Sequence, residues 1–212
     1  QVIEQQKSQT ILDVTKGNQF STDKQKQLGL HCLKVAGFSL DHGRFDVSVH
    51  PFCGGVPGDI RITTRYDDSD FTSALMGVMH ESGHALYENQ LPLDWREQPV
   101  GHARGMAMHE SQSLLVEMQI SRSQEFLSYL QPTIKELFNV DGDAWSIQNL
   151  SALYKKVERG FIRVDADEVT YPAHVMLRYD LEKALISGEL SLDDLPSAWN
   201  ELMQKYVGVT PD

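Results

Sequence analysis

The sequence has little cysteine, a shortage of basic residues and no long apolar run, and each absence excludes a class of protein. Among its 212 residues are only two cysteines, Cys32 and Cys53, which form no C-x-x-C pair and cannot build a disulfide framework. Lys and Arg number 19 against 30 Asp and Glu, so the formal net charge is −11. Binding to a phosphate backbone requires a basic stripe, and crossing a bilayer requires roughly 20 consecutive apolar residues. We therefore expect no nucleic-acid partner and no membrane span.

The composition and the terminal residues of the sequence indicate the cellular compartment and the domain organisation that we expect. A hydrophobic fraction of 41% and a charged fraction of 23% are ordinary for a globular protein, and the length suits one domain. Residues 1–9 are polar and lack the basic-then-apolar order of a signal peptide, and two cysteines suit reduced thiols, so we expect a cytoplasmic protein. The chain opens without Met and ends at Asp212 without an obvious closing element. We expect 1–212 to be a single domain from a longer protein.

Hydrophobic periodicity predicts a mainly α fold with a small antiparallel β-sheet. Alternating residues predict strands at 44–49 and 59–66, with the Pro/Gly-rich stretch 51–58 as the loop between them. A first helical stretch ends at Gly37. Helical spacing and helix-stop residues predict further helices at 70–89, 103–130, 144–159, 170–187 and 195–207. The sheet therefore comes just before the first long helix, and Pro132 is expected to end the second one.

His80, Glu81 and His84 form an H-E-x-x-H sequence inside the predicted helix 70–89. Residues four apart lie on one helical face, so both imidazoles can reach one metal ion. Glu81 lies one step around the helix, where its carboxylate can take a proton from a water at the metal. The alternative is a chance match with two core histidines, but unpaired imidazoles on an apolar helix face are costly. The motif therefore predicts a metal-binding helix of a helical, zincin-like core.

Spacing alone leaves the third ligand open. A catalytic zinc ion takes about three protein ligands and keeps one position free. His102, His109 and Glu110 are the candidates, and the last two lie on the helix predicted at 103–130, which could run antiparallel to the first. Glu110 presents a carboxylate from that helix, although a solvated acid on a helix face is an equally good interpretation of it.

Five motifs, in this order, make the sequence resemble the M32 family of metallocarboxypeptidases, the carboxypeptidase Taq group. They are His50-Pro51-Phe52, Asp59-Ile60-Arg61-Ile62-Thr63, His80-Glu81-Ser82-Gly83-His84, His109-Glu110-Ser111-Gln112 and Ile162-Arg163-Val164-Asp165-Ala166-Asp167. The resemblance runs through nearly the whole chain. It implies a zinc ion, with cobalt as the alternative, held by His80, His84 and Glu110, with Glu81 as catalytic base. It also implies peptide substrates with a free C-terminus, and a homodimer.

A carboxypeptidase must also bind the terminal carboxylate of its substrate, which suits the bidentate guanidinium of Arg. Arg61, Arg65 and Arg163 are candidates, and we favour Arg163 because it falls in the last of the five motifs. A structural pair with a neighbouring aspartate is the alternative for Arg163, and Arg61 is alternatively a residue that holds the sheet against the metal helix. His109 is expected to be a neighbour that contacts substrate.

Two further side chains are candidates for stabilising a developing oxyanion. Tyr171 and His174 carry an O–H and an N–H that can donate to it, as a side-chain oxyanion hole requires. The alternative is a helix start with a packed aromatic ring and a surface histidine. Asp59 is a weaker candidate for accepting a hydrogen bond from a ligand imidazole.

The predicted function is zinc-dependent hydrolysis of the C-terminal peptide bond of peptides. The resembling enzymes are considerably longer, with a helical N-terminal part over the active-site groove and a C-terminal GxxQDxHW motif that this sequence does not contain. A truncated, inactive metal-binding remnant is therefore the main alternative. A zinc endopeptidase is a third interpretation, because it would share the metal site but need no Arg for a terminal carboxylate.

Overall fold

A computed structural model describes residues 2–6 and 10–210, which fall into two units. One unit comprises residues 11–151, and the other comprises residues 152–212 together with 1–10. The α-helices are α1 (Val2–Gln6), α2 (Thr22–Ala36), α3 (Phe71–Asn89), α4 (Met106–Leu114), α5 (Gln124–Phe138), α6 (Ile147–Tyr154), α7 (Tyr171–Ser187) and α8 (Leu195–Leu202). The strands are β1 (Gly43–Val47), β2 (Phe52–Val56) and β3 (Asp59–Thr64). The mainly α class with a small sheet is confirmed, while a single domain stays a prediction.

The sheet is mixed rather than antiparallel, which corrects the predicted pairing. Its strand order is β1-β3-β2, with β1 parallel to β3 and β2 antiparallel to β3. The segment predicted as a loop contains β2, which forms a hairpin with β3 around Pro57 and Gly58. The sequence did not predict this strand because it contains Gly54 and Gly55. Glycine is depleted in strands, and Gly55 has a φ of 135°. β2 lies between β1 and β3 in the sequence and pairs antiparallel with β3, so β3 runs in the same direction as β1.

Two apolar clusters fix α3 within residues 11–151. Ile60 and Ile62 of β3, Phe45 of β1 and Val78 of α3 belong to one buried cluster, so the metal helix lies against the sheet. At the beginning of α3, the rings of Phe20 and Phe71 lie 4.9 Å apart, and those of Phe71 and Phe138 lie 5.0 Å apart. These aromatic contacts join the start of α3 to the end of α5.

The helix predicted at 103–130 is divided in the structure. α4 passes into a π-helical turn at Leu115–Ile120, and α5 begins after Ser123, whose side chain accepts a hydrogen bond from the Phe126 N–H at 3.1 Å. The prediction that a helix ends before Pro132 is wrong, because Pro132 lies inside α5. Proline removes one backbone hydrogen bond there. Four buried side chains of α5 offset this loss, namely Leu127, Leu130, Ile134 and Phe138.

The unit that contains residues 152–210 has its own small core. Leu177 and Leu181 of α7 pack with Met203 and Val207, which lie in a π-helical turn after α8. Gly188 ends α7 with a φ of 77°, a left-handed conformation that favours glycine. Among residues 2–6 and 10–210, we find no helix that combines the length and the apolarity needed to cross a membrane.

Candidate metal centre

α3 positions the H-E-x-x-H sequence and begins where the sequence predicted. Asp70 is its N-cap, and the Asp70 carboxylate accepts a hydrogen bond from the Thr72 N–H at 2.8 Å. The helix then continues without proline to Asn89, so residues 80 to 84 lie near the middle of a regular helix. This places His80 and His84 one turn apart, with their rings 5.0 Å from each other.

α4 lies antiparallel to α3 and very close to it. His80 contacts Glu117, and Glu88, further along α3, contacts His109, so the two chain directions are opposed. Gly83 permits the close approach, because a Cβ atom there would lie only 2.6 Å from the Gln112 carbonyl oxygen. The antiparallel arrangement predicted from the sequence is confirmed, and it brings Glu110 to the two histidines.

His80, His84 and Glu110 form a group whose ligand atoms all lie within 4.8 Å of one another. The Oε2 atom of Glu110 is 3.7 Å from Nε2 of His80 and 3.3 Å from Nε2 of His84. A tetrahedral zinc ion, about 2.0 to 2.2 Å from each ligand, spaces two ligand atoms by about 3.3 to 3.6 Å. The two separations from Glu110 lie at or near this range, so two imidazole nitrogens and one carboxylate oxygen form a donor set that suits a metal ion. His102 and His109, the other two candidates, lie outside this group, and His102 is exposed.

Glu81 lies beside the group and is only 7% exposed. Burial raises the pKa of its carboxyl group, and the charges of Glu110 and Glu117 add to this effect while the two histidines oppose it. Burial lowers the pKa of the His80 imidazole, but the carboxylates of Glu117, Glu110 and Glu81 together raise it more, so this pKa also lies above its usual value. The Glu81 carboxyl is thus held in a poorly solvated place next to the two imidazoles.

The second nitrogen of each ligand histidine also has a partner. Nδ1 of His80 lies 2.9 Å from Oε2 of Glu117, and the other oxygen of Glu117 accepts a hydrogen bond from Arg122 at 2.6 Å. Nδ1 of His84 lies 2.6 Å from Nδ1 of His109. The remaining nitrogen of His109 lies 2.6 Å from Oε1 of Glu88.

Sequence reasoning missed Glu88, Glu117 and Arg122, although the spacing contained a signal for two of them. Glu88 follows His84 by four residues and Glu117 follows Glu110 by seven, so each shares a helical face with a ligand. Asp59, the weak candidate for this role, is instead engaged by Arg61 at 2.7 Å on the exposed surface of β3.

Two of the predicted substrate-binding residues lie in the same unit as the metal group. Arg61 is exposed, and its side chain pairs with Asp59 on its own strand rather than with α3, so the structure gives no support to its holding the sheet against the metal helix. His109 is adjacent to the ligands, and both of its ring nitrogens are engaged. Contact of either residue with substrate stays a prediction.

Arg163, Tyr171 and His174 belong to the other unit, where the structure brings the first two together. Nη1 of Arg163 donates a hydrogen bond to the Tyr171 hydroxyl at 3.0 Å. Within residues 2–6 and 10–210, no carboxylate lies within ion-pair distance of Arg163; the Asp167 side chain instead accepts hydrogen bonds from the backbone N–H groups of Val169 and Thr170.

His174 is buried rather than on the surface, and only 1% of it is exposed. Burial lowers the pKa of its imidazole; a hydrogen bond with the Gly160 backbone opposes this shift, and the positive charges of Arg178 and Arg163 add to it. Its Nε2 atom has no hydrogen-bond partner among the residues that the structure describes. The role of His174 as a donor to the oxyanion stays a prediction.

Comparison with known proteins gives one consistent result. Carboxypeptidase 1 of Bacillus subtilis (strain 168) is 42% identical to the chain over 193 residues, which are 91% of this chain and 38% of that protein. Thermostable carboxypeptidase 1 of Thermus thermophilus is also 42% identical, again over 91% of this chain and 38% of its own length. The chain therefore spans about two fifths of the length of these relatives.

The fold agrees with solved structures. Trypanosoma cruzi metallocarboxypeptidase 1 superimposes with a TM-score of 0.91 at 43% identity, covering 98% of this chain and 43% of that one. The M32 carboxypeptidase of Deinococcus radiodurans superimposes with a TM-score of 0.89 at 30% identity, covering 99% of this chain and 42% of that one. The family described as carboxypeptidase Taq (M32) metallopeptidase matches residues 1–212. The chain thus belongs to the M32 family of metallopeptidases, as its five motifs predicted.

Proposed function

We propose that the chain is the catalytic portion of a zinc-dependent carboxypeptidase that removes the C-terminal residue from peptides. The observation that carries this proposal is the arrangement of Glu81 beside two imidazole nitrogens and one carboxylate oxygen at zinc-ligand separations. The relatives are named as carboxypeptidases, which supports the same reaction class here. Zinc fits the donor set, cobalt is the alternative ion, and a cytoplasmic homodimer is part of the proposal.

His80, His84 and Glu110 would hold the ion. When bound, zinc acts as a Lewis acid toward the scissile carbonyl and lowers the pKa of a coordinated water. Glu81 would take the proton from that water and pass it to the leaving amine, so one carboxylate serves as base and then as acid. Its low exposure keeps competing solvent away from this proton transfer.

Arg163 is the proposed partner of the substrate's terminal carboxylate. Support comes from its guanidinium, which is only half-buried and has no carboxylate partner among the described residues. The Tyr171 hydroxyl accepts a hydrogen bond from Arg163 and so orients it, which leaves further N–H groups for a bidentate contact. His174 and Tyr171 remain the proposed donors to the oxyanion, and Arg61 and His109 the further substrate contacts.

The test is hydrolysis of a peptide with a free C-terminus beside the same peptide with an amidated one. We expect the zinc-loaded chain to release the terminal residue only from the free form, a chelator to stop the reaction and added zinc to restore it. Equal cleavage of both peptides would indicate an endopeptidase. No cleavage by a chain that binds zinc would indicate an inactive remnant.

Two variants with matched controls test the roles. Glu81→Gln should lower kcat by about 10²- to 10⁴-fold with zinc binding retained, while Glu97→Gln, at a side chain that is 84% exposed, should not change it. Arg163→Gln should raise KM for the free peptide, and Arg159→Gln, in the same unit, should leave it unchanged. Full activity of the Glu81 variant would refute the mechanism.

A further inference from the structure

In each ligand histidine, the ring nitrogen that faces away from Glu110 makes a contact that leads to a further hydrogen bond. The residues that form this series of contacts differ between the two histidines. One series runs from His80 to Glu117 and Arg122, and the other runs from His84 through His109 to Glu88. These contacts lie on the side of each imidazole opposite the atom that faces Glu110. None of these four partner residues belongs to the group of ligand atoms.

The geometry points to Glu117 and His109 as positioning residues that set the tautomers of His80 and His84 and thereby set the affinity for the metal. This inference deepens the proposed function and rests on its metal site. A neutral imidazole carries one proton, so a proton on Nδ1 leaves the lone pair of Nε2 free for a metal. Which nitrogen carries the proton is decided by the hydrogen bond that the outer nitrogen makes.

For His80 the assignment follows from charge. A carboxylate only accepts hydrogen bonds, and Arg122 already donates to one oxygen of Glu117. The other oxygen, 2.9 Å from Nδ1 of His80, therefore requires a proton on that nitrogen. Arg122 and Glu117 are 11% and 13% exposed at their side chains, so the carboxylate has little water as an alternative donor. Nε2 of His80 is left as an acceptor facing Glu110.

For His84 the hydrogen bonds also favour a proton on Nδ1, but here they involve a second imidazole, that of His109. Oε1 of Glu88 requires a proton on Nε2 of His109, because a carboxylate cannot donate. An imidazole that carries one proton has one bare nitrogen, so Nδ1 of His109 accepts a hydrogen bond from Nδ1 of His84 across 2.6 Å. Nε2 of His84 is left bare and lies 3.3 Å from Oε2 of Glu110. Both series of hydrogen bonds therefore leave the metal-facing nitrogen without a proton before an ion binds.

Glu117→Gln tests the contacts from His80 to Glu117 and Arg122, because the Gln side chain has almost the same shape as that of Glu. Arg122 still requires an acceptor, so the amide oxygen will face Arg122 and the amide N–H₂ will face His80. Nδ1 of His80 must then accept, which moves the proton to the ligand nitrogen. We expect zinc affinity, measured by competition with a chromophoric chelator, to fall by about 10- to 100-fold. Glu97→Gln removes the same charge from an exposed side chain and should not alter the affinity.

Two further readouts separate positioning from a merely structural role. Long-range ¹H–¹⁵N spectra of the metal-free chain in mildly alkaline buffer should show His80 protonated at Nδ1 in the wild type and at Nε2 in Glu117→Gln. His109→Phe keeps a ring of similar size but removes the acceptor of His84, and should lower zinc affinity by about 10- to 100-fold. A residue that only contacts substrate would leave zinc affinity unchanged.

The outcomes distinguish this inference from the proposed function. Wild-type zinc binding with unchanged affinity in Glu117→Gln and His109→Phe would overturn the positioning role and leave the proposed hydrolysis standing. Failure of the wild-type chain to bind zinc would overturn both. Weakened zinc binding in both variants, with the expected change of tautomer, would establish the two residues as positioning residues whether or not the chain hydrolyses peptides.

Discussion

Gly83 determines how closely α4 approaches the metal helix, so Gly83→Ala should damage both stability and metal binding. An added Cβ would lie 2.6 Å from the Gln112 carbonyl oxygen and 2.6 Å from Cα of Ser113. Ordinary contact begins at 3.4 Å, so the backbone of α4 must withdraw by roughly 3.4 − 2.6 = 0.8 Å. Backbone atoms cannot rotate away as a flexible side chain can. The helix that carries Glu110 must therefore shift as a whole.

The same helix offers a matched control in Gly77. A Cβ at position 77 would meet only Pro51, at 3.5 and 3.9 Å, which is ordinary van der Waals contact. Both substitutions gain up to about 1 kcal/mol of helix propensity. The difference between them isolates the cost of overpacking at position 83, which we expect to be about 1–3 kcal/mol. Gly77→Ala should accordingly be neutral or stabilising.

The assay is urea unfolding of both variants in the presence of a chelator, followed by zinc competition on the folded proteins. Metal–ligand distances tolerate deviations of only about 0.2 Å, so a shift of the α4 backbone should weaken zinc binding about tenfold or more in Gly83→Ala. Equal unfolding free energies and equal zinc affinities for Gly83→Ala and Gly77→Ala would refute the argument that close helix packing positions Glu110.

Two other predictions follow from groups outside the metal site. Asp70→Ala removes the N-cap of α3 and should lower the free energy of unfolding by about 1 kcal/mol, which urea titration would detect; an unchanged midpoint would contradict the capping role. Burial raises the pKa of Cys32 and Cys53 to about 12, and Glu81 and Glu88 contribute at Cys53, so both thiols stay protonated at neutral pH. A disulfide reagent should react slowly with the native protein and quickly in urea, and rapid labelling of the native thiols would contradict their burial.

The helices could be predicted because their signals are local. The start of the helix predicted at 70–89 and the end of the helix predicted at 170–187 depend on Asp70 and Gly188, each within a few residues, and the structure confirms both ends. Pro132 misled the prediction because its local cost is outweighed by the burial of the apolar side chains of α5, which depends on the tertiary structure. The parallel pairing of β1 with β3 is also non-local, because it depends on the presence of β2 between them in the sequence. The glycines of β2 weaken the sequence pattern that would predict this strand.

The metal ligands were predictable to different degrees. His80 and His84 follow from helical spacing within one element, whereas spacing left Glu110 open until the family resemblance selected it. The contacts of Glu117 and His109 depend on which faces of α3 and α4 meet, and Gly83 decides that through backbone contact. A charged residue on a helix is usually solvated, so only its spacing from Glu110 distinguishes Glu117 from other acidic residues.

The most direct test of the account is the zinc content of the metal-free chain after titration with zinc, beside the same titration of Glu110→Ala. We predict one zinc ion per wild-type chain, because His80, His84 and Glu110 offer one set of three ligand atoms within 4.8 Å of one another. Glu110→Ala should bind zinc at least tenfold more weakly. A wild-type chain that takes up no zinc, or a Glu110 variant that binds it as tightly as the wild type, would contradict the metal site proposed here.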